Sequence, residues 1–379
     1  MNTPDWSRLT ASERALAVEL YRHGPLSRVE LARRLGLSQT RLTRLTRTLL
    51  TDGLLRTSTS GRDQLQVGRP REPVDIVEGD HLFIGVKLTR EGVFGVSTGI
   101  RADVTGTAFR PIEESTPAAV TALVGEVRDE LRGDRVPTRV GIAISGQIAG
   151  NAIVERSDFL DWTNVPLAEM LEASSEGIAY VVENDIVALT QLEHWFGEGR
   201  RQDSFGIITI GAGIGYGLVI GGTIRSDQTV GVTSIGHTRV LMGGAVCDQG
   251  HRGCAVATLT TPSILGSAHA ALGHEVDIEE LLVLARTGVP AVTRIVDDTV
   301  QGLGSLIAIV ASVAFVDDVM VTGEGVQLVQ ERWADVERAI SDYRDAKAGP
   351  VSAAAVQTTF YDWARGAAVS AVRSYIMGG

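Results

Sequence analysis

The spacing of apolar residues changes near Asp80, and this change constrains the fold more than any other feature of the sequence. Before Asp80, apolar residues recur three and four positions apart, which is typical of amphipathic helices. After Asp80, short apolar runs alternate with helical segments, which predicts an α/β body with a partly parallel sheet. We therefore expect two domains, residues 1–78 and 79–379. The predicted strands of the body are LFIGV, VGIAISG, AYVVEN, FGIITIGAGIGYGLVI and DVMVTGEG.

The first domain has the order of elements of a helix-turn-helix. A helical pattern over residues 9–23 ends at Gly24-Pro25. Ser27 and Ser38 are predicted N-caps of two further helices, with Gly36 allowing the tight turn between them. The residues predicted to face inward from these two helices are Val29, Leu31, Ala32, Leu35, Leu42, Leu45 and Leu49.

The second helix of this pair has a polar outward face that fits a DNA recognition helix. Arginine can bind guanine through two hydrogen bonds, and glutamine can pair with adenine. Arginines on this face could equally contact phosphates, or the face could belong to a helical bundle and contact only water. The residues predicted to contact DNA here are Gln39, Thr40, Arg41, Thr43, Arg44 and Arg47.

Two strand-like segments follow and predict a wing. The second of them contains the extended basic segment Gly68-Arg69-Pro70-Arg71, which could follow a minor groove or could be only a linker. The charge distribution favours DNA, since residues 1–75 carry 13 Arg and 8 acidic residues, a balance of +5, whereas the remainder has a balance of −16. An acidic body repels nucleic acid and a basic head attracts it.

Composition limits the cellular context. The sequence shows no basic and apolar leader, and its longest apolar run, Leu306 to Val316, is too short for a membrane helix. Two cysteines do not form a disulfide framework, which is typical of a reducing compartment. We expect a cytoplasmic protein with no membrane partner.

Two places in the body could bind a ligand. The glycine-rich TIGAGIGYG, residues 209–217, could bring backbone N–H groups to an anion, although a tight hairpin explains it as well. Asn184 and Asp185 stand at the carboxyl end of a predicted strand, where α/β sheets bind ligands. Asp185 could accept a hydroxyl proton, or it could be the N-cap of the following helix.

Taken together, the motifs resemble the ROK family of repressors, open reading frames and kinases. GIAISGQIAG, FLDWTNVPLAEML, VENDIVAL, TIGAGIGYGLVIGG, SIGHTRV, CDQGHRGC and VMVTGEG occur in the order typical of that family. The resemblance implies an α/β fold with an N-terminal winged helix-turn-helix and a two-lobed, actin-like (ribonuclease H-like) sugar-kinase body. It also implies a homodimer or tetramer that binds a double-stranded DNA operator and a sugar or sugar phosphate effector.

Departures from the family pattern argue against catalysis. Lys87 stands where the kinases of the family have the first aspartate of a phosphate loop, and Thr89-Arg90-Glu91 replaces the Gly-Gly-Thr of that loop. Two sugar-binding glutamates of the family are Ser234 and Val256 here. The effector residues that the resemblance retains are Asn184, Asp185, His237 and the Ser145-Gly146 turn.

The segment CDQGHRGC resembles a degraded form of the family's zinc motif. Of the four ligands that the resemblance implies, His237, Cys247 and Cys254 remain, and Gln249 replaces the fourth, a cysteine. His251 could complete the set only if the loop repacked. A residual zinc ion is the one cofactor that the resemblance implies, and a metal-free loop with buried thiols is the alternative.

We expect a transcriptional regulator, a repressor of carbohydrate-related genes, with a catalytically inactive body. Two alternatives stay open at this point. One is a sugar kinase with a fused DNA-binding head. The other is a ligand-blind regulator whose body is only an oligomerisation scaffold.

Overall fold

The structure is a computed structural model that describes residues 5–58, 72–175, 177–225 and 234–378. It divides into two compact units. Unit 1 comprises Met1–Arg201 and Trp363–Gly379, and unit 2 comprises Gln202–Asp362. Unit 1 therefore contains both the helical head and the first lobe of the body. The boundary expected at residue 78 stays a prediction.

The head is a three-helix assembly with a two-stranded antiparallel sheet. Its N-caps follow the sequence: the side-chain oxygen of Ser27 accepts a hydrogen bond from the N–H of Glu30, and that of Ser38 accepts one from the N–H of Arg41. Both predicted caps are confirmed. The elements are α1 (Ala11–His23), α2 (Arg28–Arg34), α3 (Gln39–Thr51), β1 (Leu55–Thr57) and β2 (Val74–Ile76), preceded by a 3-10 helix, Trp6–Arg8.

The interior of the head differs from the prediction at three positions, one of which is the half-buried Leu35. Val29 is 47% exposed, although its spacing predicted an inward position. Leu45 is half-buried, whereas the neighbouring Thr46 is fully buried, because its hydroxyl donates to the carbonyl of Leu42 within the helix. A hydroxyl that donates a hydrogen bond within its own helix can be buried at little cost in free energy.

The first lobe of the body is a five-stranded mixed sheet covered by helices. The strand order is β10-β6-β3-β4-β5, in which β10, β6 and β3 are parallel and β3, β4 and β5 are antiparallel. A small sheet of β7, β8 and β9 lies beside it. The elements are β3 (Phe83–Leu88), β4 (Gly92–Thr98), β5 (Val104–Pro111), α4 (Pro117–Arg132), β6 (Arg139–Ile144), β7 (Gln147–Ala149), β8 (Ile153–Ser157), β9 (Trp162–Val165), α5 (Leu167–Ala173), β10 (Tyr180–Asn184) and α6 (Asp185–Trp195), followed by a 3-10 helix, Glu198–Arg201.

Unit 2 repeats this sheet order around a more apolar core. Its order is β13-β12-β11-β14-β15, with β11, β14 and β15 parallel and β11, β12 and β13 antiparallel. The elements are β11 (Phe205–Ile210), β12 (Ile214–Ile220), β13 (Thr223–Arg225), α7 (Ala255–Leu259), α8 (Thr261–Leu272), α9 (Ile278–Arg286), α10 (Pro290–Ala314), β14 (Asp318–Thr322), α11 (Gln327–Gln330), α12 (Trp333–Tyr343) and β15 (Ser352–Ala355), with 3-10 helices at Ser234–His237 and Glu324–Val326. The repeated order confirms the predicted two-lobed body.

Helix α10 is the central core helix of unit 2. It is the one helix among the described residues that is long and apolar enough to cross a membrane, and 67% of the relevant window is buried within the protein. Val300, Leu303, Leu306 and Ile307 of this helix are almost fully buried. This degree of burial is typical of a helix in the core of a folded domain.

The last helix, α13 (Phe360–Met377), returns from unit 2 to unit 1. It lies directly on the first sheet where two glycines face each other across β3 and β6, Gly85 and Gly141. A Cβ added at Gly85 would lie 1.9 Å from the carbonyl oxygen of Ala364, and one at Gly141 would lie 1.9 Å from that of Ala367. Glycine is therefore required at both positions for the helix backbone to approach the sheet.

Candidate functional site

The outward face of α3 is the first candidate site. All six residues that the sequence assigned to DNA contact on this helix are exposed, and they share one side of it. Arg41 donates a hydrogen bond of 3.1 Å to the hydroxyl of Ser12 in α1, which holds its guanidinium near the start of α3. Arg69 and Arg71, the predicted wing contacts, lie outside the described residues.

The arginines of the head fall into two electrostatic groups. In α2, Arg33 and Arg34 both pair with Glu30, at 2.7 Å and 2.8 Å, and the two guanidinium groups lower the pKa of Glu30 to about 2. In α3, no described carboxylate forms an ion pair with Arg41, Arg44 or Arg47. The exposed face of α3 therefore carries positive charge without a described acidic partner.

The head is fixed to the first lobe by polar contacts. Arg101, after strand β4, binds Asp75 of β2 at 2.5 Å and Glu78 at 2.7 Å. The backbone N–H of Trp6 donates to the hydroxyl of Tyr375 in α13, at 3.2 Å. A movement within the lobe can therefore reach the head through both a strand and a helix.

The second candidate site lies in the first lobe, where β10 ends and α6 begins. Asn184, and not Asp185, is the N-cap of α6: its Oδ1 accepts from the N–H groups of Ile186 and Val187. Its Nδ2 donates to the carbonyl of Gly146 at 2.8 Å, which joins the predicted glycine turn to this site. Asp185 is the first helical residue, so its proposed role as the cap was wrong and its carboxylate is available for another partner.

That partner is Lys87. Its ammonium donates a short hydrogen bond to Oδ2 of Asp185, and both residues are buried, at 5% and 6% exposure. The ammonium also lies 5.2 Å from the centre of the Trp363 ring of α13. The other carboxylate oxygen, Oδ1, accepts from the N–H of Ile186. Both oxygens of Asp185 are thus engaged by the protein itself.

A third candidate site is the glycine-rich turn between β11 and β12 in unit 2. The N–H of Ala212 donates to Oε1 of Glu324 at 2.6 Å. A Cβ at Gly211 would lie 2.2 Å from the carboxyl carbon of Glu324, so this carboxylate lies directly against the turn. A backbone donor suited to an external anion therefore already binds an internal one.

The fourth candidate site is the cluster of His237, Cys247 and Cys254, also in unit 2. One ligand atom from each lies within 4.8 Å of the others, and Nδ1 of His237 is 3.7 Å from Sγ of Cys247 and 4.0 Å from Sγ of Cys254. Nitrogen and thiolate donors at such distances fit a zinc ion. Val256, which replaces a predicted sugar-binding glutamate, packs against Gly236 next to His237, with 3.0 Å between its Cγ2 and an added Cβ.

Comparison with family models identifies both parts of the chain. The ROK family model matches residues 84–368, and the MarR family model matches residues 9–66. The chain belongs to the ROK family. Its head is a MarR-type winged helix, as the order of elements predicted.

The curated relatives of the chain include both kinases and a regulator. A glucokinase of Streptomyces coelicolor is 31% identical over 177 residues, which covers 46% of this chain and 54% of the relative. The DNA-binding transcriptional dual regulator NagC of Escherichia coli is 26% identical over 240 residues, which covers 61% of this chain and 58% of NagC. The chain thus spans little more than half the length of these relatives.

Solved structures agree on the fold. A ROK family transcriptional regulator, described as a homolog of the E. coli MLC protein, aligns over 97% of both chains with a TM-score of 0.76 and 22% identity. A ROK glucokinase from Streptomyces griseus, in complex with glucose and AMPPNP, aligns over 77% of this chain and 99% of its own, with a TM-score of 0.65 and 21% identity. The regulator thus aligns with the head as well as the body.

Sequence reasoning did not find two of the residues at these sites. Trp363 lies far from Lys87 in sequence, and nothing near it predicts a contact with the ammonium. Glu324 lies within the quoted VMVTGEG, and an acid between two glycines could have indicated a side chain that reaches a neighbouring turn.

Proposed function

We propose that this protein is a DNA-binding transcriptional regulator, a repressor of carbohydrate-related genes, that acts in the cytoplasm without membrane contact. The observation that carries the proposal is the exposed face of α3, where Arg41, Arg44 and Arg47 have no described acidic partner. A recognition helix places such residues against base edges and phosphates of the major groove. The NagC and MLC-homolog likenesses support the same function.

The test is selection of genomic fragments by the purified protein at controlled salt. We expect enrichment of a few sites that share an inverted repeat, because two-fold dimers read palindromic half-sites. The Arg44→Ala variant should lose this enrichment, whereas Arg33→Ala should keep it, since Arg33 is paired with Glu30. Equal enrichment by wild type and the Arg44→Ala variant would refute specific reading by α3.

Lys87 supports a body that does not phosphorylate sugars. A general base must accept a proton from the attacking hydroxyl, and both oxygens of Asp185 are already engaged. Phosphoryl transfer also needs free donors around the phosphates, and the N–H of Ala212 is given to Glu324. ATP hydrolysis that depends on an added sugar would overturn this part of the proposal and favour the kinase alternative.

We propose that a sugar or sugar phosphate effector acts through Asn184, Asp185 and Gly146 of unit 1, and His237 of unit 2 stays a predicted effector residue. An effector can shift DNA binding only if it binds one conformation better than the other. The contacts of Arg101 with Asp75 and Glu78 provide a physical route from the first lobe to the head. Heat stabilisation by a sugar, together with release of the operator, is the expected result.

The Lys87–Asp185 pair also favours a second candidate, a ligand-blind regulator with the body as scaffold. A neutral sugar that took the carboxylate would leave a buried ammonium unpaired, which costs several kcal/mol. The two candidates differ in one measurement. Operator binding that no sugar or sugar phosphate alters favours the scaffold.

The remaining proposals concern assembly and metal. We propose a homodimer or a tetramer of such dimers, which sedimentation analysis will distinguish. We also propose that His237, Cys247 and Cys254 bind a zinc ion with a structural role, since their distances fit its ligands. Such an ion would join the 3-10 helix Ser234–His237 to the start of α7.

A further inference from the structure

The loop of residues 246–252 brings a second histidine to the Cys/His cluster. Val246 and Arg252 form an antiparallel bridge, and the N–H of Cys247 donates to the carbonyl of His251 at 3.0 Å. This short hairpin places the two side chains next to each other. Nδ1 of His251 lies 3.7 Å from Sγ of Cys247, and the rings of His251 and His237 have centres 4.9 Å apart.

The distances between these sulfur and nitrogen atoms match the separations between ligand atoms in a tetrahedral zinc site. With Zn–S of about 2.3 Å and Zn–N of about 2.0–2.1 Å, two ligand atoms of a tetrahedral site lie roughly 3.5–3.8 Å apart. The separations of Cys247 from His237 and from His251 are both 3.7 Å. His251 is not among the three residues whose ligand atoms all lie within 4.8 Å of one another, so its ring must still approach Cys254 or His237.

The surroundings of His251 permit this approach. His251 is exposed, and Gly250 and Gly253 on either side of it have positive φ angles of 83° and 64°. Asp248 of the same loop accepts the N–H of Gln249 at 3.0 Å through its Oδ1. Gln249 itself is exposed and carries an amide, which zinc binds poorly.

We propose that His251 is the fourth protein ligand of a zinc ion that is also bound by His237, Cys247 and Cys254. The chain would then hold its metal through two cysteines and two histidines, a set that differs from the one implied by the family resemblance. Two thiolates balance the charge of the ion, so the completed site is neutral. This inference rests on zinc binding at the loop and is independent of DNA reading by α3.

The test uses purified full-length protein, loaded with zinc or with cobalt(II). We expect about one metal ion per chain. The cobalt protein should show the intense visible bands of a tetrahedral site and a thiolate charge-transfer band. In the His251→Ala variant, zinc affinity should fall by roughly tenfold or more, since even loss of an outer partner costs 10–100-fold. Its cobalt bands should weaken as water enters.

Two further variants make the result decisive. His269→Ala, an exposed histidine of α8 in the same unit, should leave metal content and spectrum unchanged. Cys254→Ser should lose the thiolate band in part, and circular dichroism will show whether each variant is folded. The proposal is wrong if the wild-type protein binds no metal. It is also wrong if the His251→Ala variant matches the wild type in affinity and spectrum.

Discussion

The two units of this protein bury different kinds of polar residue. Among the described residues, all buried charged, histidine and amide side chains lie in unit 1, including Lys87, Asp185 and His194. The buried polar residues of unit 2 are five threonines and one serine, Ser305. Hydroxyls can bond to the backbone of their own helix, whereas buried charges need partners from other elements. Among the described residues, the interior of unit 1 therefore depends on paired charges, whereas the buried polar side chains of unit 2 are uncharged hydroxyls.

The same contrast separates two sites whose polar groups already bind partners within the protein, the Lys87–Asp185 pair of unit 1 and the Glu324–Ala212 contact of unit 2. The Lys87–Asp185 pair is buried, so opening it would leave a charge without water or partner. Glu324 is exposed, so its carboxylate can leave Ala212 and be hydrated at small cost. Predictions from this comparison follow, from the largest effect to the smallest.

Removal of the charge of Lys87 should have the largest effect. Lys87→Met leaves Asp185 buried and unpaired, and we expect a loss of about 3–5 kcal/mol in the unfolding free energy of unit 1. Urea unfolding followed by tryptophan fluorescence measures it, because Trp333 is the only tryptophan of the sequence in unit 2. The control is Arg156→Met, which breaks an exposed ion pair with Asp158 in the same unit and should cost less than about 1 kcal/mol. Similar losses in both variants would contradict the comparison.

A methyl group at Gly85 should be nearly as costly. Gly85→Ala forces α13 away from the sheet, because the added carbon would meet a backbone oxygen that no rotamer can move. We expect a loss of about 3 kcal/mol, the upper end for overpacking. At Gly206 of unit 2, the nearest atom is 3.3 Å away on the side chain of Val310. Gly206→Ala should therefore cost clearly less, measured by Trp333 fluorescence with the other tryptophans replaced by phenylalanine, and an equal cost would contradict this expectation.

Acid should weaken unit 1 through His194, which is buried, and His23, which is half-buried. Burial, with nearby arginines, lowers the pKa of His194 to about 3 and that of His23 to about 4. In the unfolded chain both have a pKa of about 6.5, so the unfolded state binds more protons and stability is lost as pH falls below that value. His194 contributes a loss of about 2 kcal/mol by pH 5, and the more exposed His23 contributes less because solvent screens it. Burial raises the pKa of Glu183, which acts in the opposite direction and offsets part of the loss.

The contribution of His194 to the pH dependence of the unfolding free energy can be isolated by substitution. His194→Gln should reduce the difference in unfolding free energy between pH 7 and pH 5 by about 2 kcal/mol. The measurement is urea unfolding at both pH values, with tryptophan fluorescence as the signal. An unchanged pH dependence in this variant would show that other groups cause the acid sensitivity of unit 1.

The smallest effect is expected at Glu324. Glu324→Ala removes one exposed hydrogen bond to Ala212 and should change the unfolding free energy of unit 2 by less than about 1 kcal/mol. Trp333 fluorescence follows this unit if the other tryptophans are replaced by phenylalanine. A loss comparable to that of the Lys87→Met variant would mean that exposed and buried internal pairs do not differ here.

Sequence patterns predicted the helix N-caps of the head, because a cap depends on residues only a few positions apart. Ser27 and Ser38 cap helices through N–H groups three residues ahead, and such contacts can be read from spacing alone. Spacing failed at Leu45 and Thr46, since the hydroxyl of a threonine can be satisfied within its own helix. It failed again at Asp185, because the side chain of the preceding residue, Asn184, caps α6 instead.

The candidate sites were less predictable because they depend on distant partners. Lys87 was recognised as a departure from a catalytic pattern, but its partners Asp185 and Trp363 lie in other elements of unit 1. The residue types show that the acid expected at position 87 is absent. They do not show which side chains the lysine at this position contacts in the folded protein.

The position of α13 in the chain also has a consequence for protein synthesis. The ribosome completes the strands of the first lobe early, yet Gly85 and Gly141 stay uncovered until all of unit 2 has been made. Domains begin to fold as they emerge, so the growing chain carries a DNA-reading head on a lobe that still lacks one covering helix. The contact of Trp6 with Tyr375 also forms only then. The lobe to which the head is attached is therefore completed only after unit 2 has been synthesised.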